Sequence, residues 1–138
     1  MGSYISLPSY LNTVEQRYRF VGKRCEKCGT IFFPPRLICL ECGGGKMEKV
    51  KLSGDGTILT YTVIAKGGAP TEFDDLQNMT GDYAVALVEL EEGPKITGQM
   101  TYCDPRDLKI GQQVKAVFRV LYEQEGVIRY CYKFKPID

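Results

Sequence analysis

Hydrophobic and polar residues alternate along most of the chain from residue 47 onward, which is the period of β-strands with one buried face. In one such segment Leu59, Tyr61 and Val63 fall on one face, while Thr60 and Thr62 fall on the other. Gly-rich turns separate these segments from one another. The pattern predicts five or six strands, at residues 47–53, 56–66, 83–91, 95–102, 113–123 and 127–135.

Two of these strands indicate how the sheet is arranged. Residues 83–88 are apolar at both odd and even positions, which predicts a central strand buried on both faces. In the last strand the alternation predicts a core face of Ile128, Tyr130, Tyr132 and Phe134, and a face of Arg129, Lys133 and Lys135 toward water or a partner. Short strands of even spacing with one long interruption favour a small, partly open barrel of the OB type.

The interruption runs from Gly67 to Gly81, which is long for a connection inside a compact domain. It is polar except for Phe73, Leu76 and Met79. Two interpretations are open. The segment folds these residues back onto the barrel as a lid, or it presents them to a partner.

The first part of the chain has a different pattern. Leu7, Leu11, Val14 and Tyr18 recur at helical spacing, so they predict one short helix that ends before Phe20. Residues 19–24 then read as a strand, and residues 31–33 read as its hairpin return. The proline pair at residues 34–35 ends that strand.

Composition narrows the class of protein. A chain of 138 residues with 43% hydrophobic content accommodates one full domain and a small appendage. The formal net charge of +1 provides no field for steering the chain toward nucleic acid or an anionic membrane. No segment approaches the roughly 18 apolar residues of a membrane span, and no export signal is evident, so we expect a cytoplasmic protein.

The absence of histidine bears on catalysis. A Ser-His-Asp or Cys-His nucleophile system cannot be built from a chain that has no histidine. General acid-base chemistry at neutral pH would fall to a perturbed carboxylate, lysine, tyrosine or cysteine. We therefore assign no catalytic residue.

Four of the six cysteines form two matching pairs, Cys25 with Cys28 and Cys39 with Cys42, separated by ten residues. Two residues between paired cysteines allow both thiolates to reach one tetrahedral ion, and the glycine after each pair permits a tight turn. We predict one structural zinc ion per chain, with thiolate-bound iron as the alternative and disulfides disfavoured by the compartment. Cys103 and Cys131 are interpreted as core or strand residues.

These features define the expected fold. It is mainly β, with a short helix and a rubredoxin-like zinc ribbon at residues 1–46 and a five- or six-stranded OB-type barrel at residues 47–138. Because four thiolates complete the coordination shell, the metal is expected to stabilise the ribbon and not to catalyse.

The chain resembles a known family, the zinc-ribbon plus OB-fold proteins catalogued as domain of unknown function thirty-five. The resemblance covers residue 17 to the C-terminus. Its motifs are Arg24-Cys25-x-x-Cys28-Gly29, Phe33-Pro34-Pro35-Arg36, Cys39-x-x-Cys42, Gly56-Thr57-Ile58 with Tyr61-Thr62-Val63, residues 83–90, Leu108-Lys109-Ile110-Gly111 with Val114, and Phe134-Lys135-Pro136.

The resemblance implies a function. Members of this family are associated with thiolases and other acyl-CoA enzymes, and archaeal members bridge acetoacetyl-CoA thiolase and hydroxymethylglutaryl-CoA synthase of the mevalonate pathway. This chain is similar to the archaeal type. The resemblance therefore implies a non-catalytic bridging subunit, which we expect to contact its partners through the ribbon, residues 32–37 and the N-terminal helix.

Other functions remain open. A single-stranded nucleic-acid module would use Tyr61, Tyr130 and Tyr132 for stacking, with Arg129, Lys133 and Lys135 near the phosphates. An enzyme acting alone on an acyl-CoA would depend on the carboxylates of Glu72, Asp74, Asp75 and Asp82. Within the bridging hypothesis, the barrel itself could touch the phosphates of CoA, for which the weak candidates are Lys66, Gly67, Gly68 and Arg106.

Overall fold

The computed structural model describes residues 7–124 and 126–137, without the side chains of Leu7 and Gln124. Two short helices come first, α1 (Leu7–Asn12) and α2 (Val14–Arg19). The strands follow as β1 (Val21–Cys25), β2 (Ile31–Phe32), β3 (Met47–Lys51), β4 (Asp55–Ile64), β5 (Tyr83–Leu90), β6 (Lys95–Gln99), β7 (Gln113–Gln124) and β8 (Val127–Pro136). Helix α3 (Asp74–Thr80) lies between β4 and β5.

The strands form two antiparallel sheets. The ribbon sheet has the order β2-β1-β3, and the second sheet has the order β6-β5-β4-β7-β8. The second sheet curls into a nearly closed barrel, because Met100 bridges Phe134 in parallel and the Thr101 amide donates to the Phe134 carbonyl at 2.8 Å. The prediction of a mainly β chain with a ribbon and an OB-type barrel is confirmed.

The expected strands all form, but one belongs to a different sheet. Strand β3 pairs along its length with β1, from Val21 opposite Lys51 to Cys25 opposite Met47. The ribbon sheet therefore extends through Lys51, and the barrel contains five strands. The division of the chain at residues 46 and 47 stays a prediction.

The expectation of a single N-terminal helix was wrong. Thr13 interrupts it, with its hydroxyl donating to the carbonyls of Ser9 and Tyr10, so the side chain competes with the helical hydrogen bonds. Leu11 is 60% exposed, which removes it from the apolar stripe. The helical region still ends before Phe20, as expected.

The alternation expected in β4 is interrupted by a bulge. The register with β5 shifts between Ile58 and Thr60, so Leu59 is the additional residue. As a result Ile58 is fully buried, Tyr61 packs partly against the core and Val63 is 40% exposed. Periodicity alone does not reveal a bulge, because it changes which face each later residue occupies.

The core joins the ribbon to the barrel. Phe20 and Leu52 belong to the same buried cluster as the barrel residues Ile58, Val88 and Phe134. The Leu52 amide donates to the Phe20 carbonyl at 3.0 Å. No helix in residues 7–124 and 126–137 has the length and apolar character needed to cross a membrane.

Candidate metal centre and barrel cavity

The first cysteine pair lies where β1 ends. Cys25 is the last residue of β1, and its amide donates to the Thr30 carbonyl across the turn that leads to β2. The second pair precedes β3. Cys25 and Cys39 are almost completely buried, whereas Cys28 is exposed.

The two turns are built alike. The Gly29 amide donates to the Cys25 carbonyl at 2.9 Å, and the Gly43 amide donates to the Cys39 carbonyl at 3.1 Å. Both glycines have a positive φ, 77° and 69°, which only glycine adopts without strain. The spacing therefore produced the two matching turns that the sequence predicted.

The four sulfur atoms meet in one place. All lie within 4.8 Å of one another, with Cys25 Sγ 3.7 Å from Cys42 Sγ and Cys28 Sγ 3.4 Å from Cys39 Sγ. Four thiolates about 2.3 Å from a tetrahedral ion would be about 3.8 Å apart, which matches this cluster. A disulfide needs an S–S distance of about 2.05 Å, which none of these pairs approaches. The donor set fits one metal ion.

The environment of the sulfurs affects their protonation. Hydrogen bonding to Thr30, first through its side chain and then through its backbone, lowers the pKa of Cys28 to about 6. Although the Cys42 amide favours the Cys39 thiolate, burial and the neighbouring thiols raise the pKa of Cys39 to about 11. A bound cation would favour the thiolate at all four positions.

A third glycine supports this site, and sequence reasoning missed it. Gly45 has a φ of 102°, and a Cβ at this position would lie 2.9 Å from Cys25 Sγ. The residue must be glycine because a side chain would displace a metal ligand. Its position two residues beyond a motif glycine gave no signal of this contact.

A cavity of about 710 Å³ opens beside β5 at the end of the barrel. Its wall is formed by the end of β4, helix α3, the start of β5, the end of β6 with the segment that follows, and one residue of β8. The lining residues are Val63, Leu76, Thr80, Asp82, Tyr83, Ala84, Gln99, Met100, Thr101, Tyr102, Cys103, Asp104, Pro105, Arg106 and Lys133.

Three of the four candidates for CoA contact do not line this cavity, and their amides are already engaged. The Lys66 amide donates to Asp82 Oδ1, the Gly67 amide to Gln77 Oε1, and the Gly68 amide to the Ala65 carbonyl. These amides are therefore not directed at an anion. The proposed contact of residues 66–68 with CoA stays a prediction.

The fourth candidate, Arg106, lies in the cavity wall but is paired. Its guanidinium contacts both carboxylate oxygens of Asp104, at 3.0 and 2.7 Å. The Arg106 side chain, followed by its amide, lowers the pKa of Asp104 to about 2. The charge of Arg106 is thus largely compensated within the chain.

The aromatic and basic residues of the nucleic-acid hypothesis do not form one exposed surface. Tyr61 donates its hydroxyl to the Leu108 carbonyl, and Tyr132 packs against the core. Tyr130 is 37% exposed and stacks on Phe118 with ring centroids 5.3 Å apart. Only this last tyrosine is placed for stacking on a base.

Lys133 departs from the expected pattern. It was expected to face water or a partner, yet it is only 6% exposed, so the expectation was wrong. The adjacent segment after β6 covers β8 at this point through the Met100 bridge, which alternation along one strand cannot show. Burial lowers the pKa of Lys133.

The long interruption contains a helix. Gln77 of α3 is buried, and its amide nitrogen donates to the Ala65 carbonyl, which fastens the helix to the end of β4. Phe73 contacts the rings of Tyr83 and Tyr122, as a lid would, whereas Met79 is 82% exposed. The segment therefore packs Phe73 back onto the barrel, as a lid would, and leaves Met79 exposed, as a partner-binding segment would.

The acidic residues of the enzyme hypothesis lie around this helix without forming a common site. Glu72, Asp74 and Asp75 are exposed at its beginning, and Asp82 accepts the Lys66 amide. Cys103 and Cys131 are partly buried, and burial raises the pKa of both thiols. The interpretation of these cysteines as structural residues fits their position.

The ribbon presents a cluster of exposed apolar side chains, which we call the ribbon tip. It consists of Leu37, Ile38 and Leu40, which are 85%, 64% and 67% exposed. By contrast Phe33, which was expected among the contact residues, packs its ring 5.0 Å from Phe20. The apolar surface is therefore displaced toward the second cysteine pair.

Comparison with known proteins identifies the family to which the chain belongs. Residues 14–48 match the family model described as ChsH2, rubredoxin-like zinc ribbon domain, and residues 49–119 match the one described as ChsH2, C-terminal OB-fold domain. Together the two matches span the ribbon and most of the barrel. The chain belongs to the ChsH2/DUF35 family.

Relatives of this DUF35 protein cover most of its length. A DUF35 domain-containing scaffold protein of Methanocaldococcus jannaschii is 46% identical over 91% of this chain and 86% of its own length. The benzoylsuccinyl-CoA thiolase subunit BbsA of Thauera aromatica is 29% identical over 84% of this chain and 75% of its own length. A solved structure of the Ltp2-ChsH2(DUF35) aldolase matches with a TM-score of 0.69 and 26% identity over 98% of both chains.

Proposed function

We propose that this DUF35 protein is a non-catalytic scaffold subunit of acyl-CoA enzymes, which links acetoacetyl-CoA thiolase to hydroxymethylglutaryl-CoA synthase in the cytoplasm. The observation that carries the proposal is the 46% identity to a DUF35 scaffold protein across ribbon and barrel. The similarity to a thiolase subunit supports an acyl-CoA enzyme as the partner.

The ribbon tip supports a docking role for the ribbon. Three large apolar side chains, all more than half exposed, are adjacent in sequence to the buried Cys39 of the four-cysteine cluster. Exposed apolar clusters on soluble proteins commonly mark interaction sites. We propose that Leu37, Ile38 and Leu40 insert into the thiolase or the synthase, and that zinc is the metal that holds them in place.

Such a link would have a chemical purpose. Condensation of two acetyl-CoA molecules is unfavourable at equilibrium, so a second condensing enzyme that removes acetoacetyl-CoA at once would draw the first reaction forward. The linking subunit would need shape and stability and no catalytic group. The metal cluster with four thiolate donors fits a structural and not a catalytic site.

The test is reconstitution of the assembly. The tagged chain is co-expressed with the thiolase and the synthase of the same organism, and the complex is measured by size-exclusion chromatography with light scattering and metal analysis. We expect one complex that contains all three proteins and about one zinc per DUF35 chain. Failure of both enzymes to associate with the folded, metal-loaded chain would contradict the proposal.

A paired substitution locates the contact. Leu37→Ser combined with Leu40→Ser should abolish or strongly weaken assembly, because it removes the exposed apolar surface without touching the core. Met79→Ser removes an equally exposed apolar side chain from α3 and serves as the control. Equal assembly by both variants would exclude the ribbon tip as the contact.

A further inference from the structure

The wall of the cavity beside β5 contains a lysine that is largely covered and, within residues 7–124 and 126–137, has no carboxylate partner. Lys133 lines the cavity and is 6% exposed. Among the residues that the structure describes, the ion pairs join Arg24 to Glu48, Lys49 to Glu15 and Arg106 to Asp104, and none involves Lys133. Partly withdrawing an ammonium group from water costs free energy unless a partner compensates its charge.

The other charged groups of the wall do not compensate it. Asp104 is held by Arg106, and Asp82 is exposed at the rim, where it accepts the Lys66 amide. In the described part of the chain, Lys133 and Asp82 are thus the two charged groups of the wall without an ion-pair partner, and Lys133 is the one that can receive an anion. Because Asp82 and Asp104 line the same wall, their charges repel a phosphate dianion or a pyrophosphate more strongly than a monoanion such as a carboxylate.

The rest of the wall mixes polar and apolar surface, and its apolar part can hold the body of a ligand. Val63, Leu76, Ala84 and Met100 contribute apolar surface, while Thr80 and Thr101 contribute hydroxyl groups. The volume of about 710 Å³ lies within the range typical of small-molecule sites. A short aliphatic chain that ends in a carboxylate would satisfy both parts of the wall.

We propose that this cavity binds a short-chain carboxylate, with its anionic end on Lys133 and its aliphatic body against Val63, Leu76 and Met100. The carboxylate has two sources, a free acid or an acyl-CoA whose acyl group ends in a second carboxyl. The site belongs to the chain alone and does not rest on the scaffold role. Assembly with enzymes and binding of the acid can therefore succeed or fail independently.

The test uses the isolated, metal-loaded chain and two matched pairs of probes. Butyrate is compared with butyramide, which has the same size but no charge, and glutaryl-CoA is compared with butyryl-CoA. Binding is measured by titration calorimetry and by chemical shifts of the backbone amides. We expect butyrate to shift the amides around Thr101 and Lys133 and to bind at least about tenfold more tightly than butyramide.

The CoA pair distinguishes the two sources. Glutaryl-CoA that binds more tightly than both butyrate and butyryl-CoA would identify the thioester as the ligand, whereas tighter binding of butyrate would identify a free acid. Either result supports the carboxylate site. Equal binding of butyrate and butyramide, or binding of CoA regardless of its acyl group, would overturn it.

Substitution tests the role of Lys133 directly. Lys133→Met keeps an unbranched side chain that is one atom shorter and removes the charge, so it should weaken butyrate binding by about tenfold or more. Lys115→Met, on the exposed part of the neighbouring strand β7, is the matched control and should bind as the unmodified chain does. Butyrate binding that survives Lys133→Met would refute the assignment, and the probe pair tests the site even if this variant does not fold.

Discussion

Phe20 connects the ribbon, the helices and the barrel, and its replacement should destabilise all three. It is 3% exposed, with its ring 5.0 Å from Phe33 and 4.8 Å from Tyr132. Truncation of a buried phenylalanine to alanine costs about 3–5 kcal/mol of unfolding free energy. For a chain of this size Phe20→Ala should lower Tm by roughly 10–20 °C.

The backbone of Phe20 adds a second, separable contribution. Its φ of 56° and ψ of 47° place it in the left-handed region, which costs a non-glycine residue about 1–2 kcal/mol. Phe20→Gly loses the same side chain but relieves this strain. It should therefore be about 1 kcal/mol more stable than Phe20→Ala, which reverses the usual order of alanine over glycine.

Chemical denaturation measures both contributions. The chain has nine tyrosines and no tryptophan, so tyrosine fluorescence and circular dichroism are the probes, with metal in excess. Tyr102 is the control, because its φ is 55° but its side chain is 68% exposed. Tyr102→Gly should be more stable than Tyr102→Ala by a similar amount. Neither variant should show the large loss of stability that follows from removing a core side chain. A cost below about 1.5 kcal/mol for Phe20→Ala, or alanine ranking above glycine at position 20, would refute this reasoning.

Three further predictions concern the metal, the barrel closure and the buried lysine. Cys25→Ser should lose the metal and unfold the ribbon while the barrel strands persist, whereas Cys103→Ser should retain metal, as metal analysis and circular dichroism would show. Gly98→Ala should cost about 1–3 kcal/mol in urea denaturation, because its Cβ would lie 2.8 Å from the Phe134 ring. Lys133→Met should stabilise the chain at neutral pH; since burial lowers the pKa of Lys133, this gain should fade as pH rises through that pKa, and a gain that grows with pH would contradict it.

The local pattern of the sequence predicted most of the elements. Strands β5, β7 and β8 begin and end within two residues of the predicted positions, because alternation and Gly-rich turns are local properties of the chain. The four-cysteine cluster was also predictable, since the two cysteine pairs and their glycines determine the two turns almost without reference to other segments.

Features that depend on neighbouring segments were not predictable. The pairing of β3 with β1, the bulge at Leu59 and the burial of Lys133 each follow from which strand lies alongside. A pattern of alternation states that a face is buried but not what covers it. The same limit explains why the sequence did not predict that the ribbon tip extends to Leu40, since exposed and buried leucines look alike in a sequence.

The shared core suggests how the metal centre and the barrel influence each other. The metal ligand Cys25 ends β1, and β1 pairs with β3, which leads directly to Leu52 in the barrel core. On the other side, Phe33 of the ribbon covers Phe20, which belongs to that same core. Loss of the metal would therefore loosen a side of the barrel core without removing its strands. If the ribbon tip is the docking surface that we propose, metal content should govern assembly more strongly than it governs barrel folding.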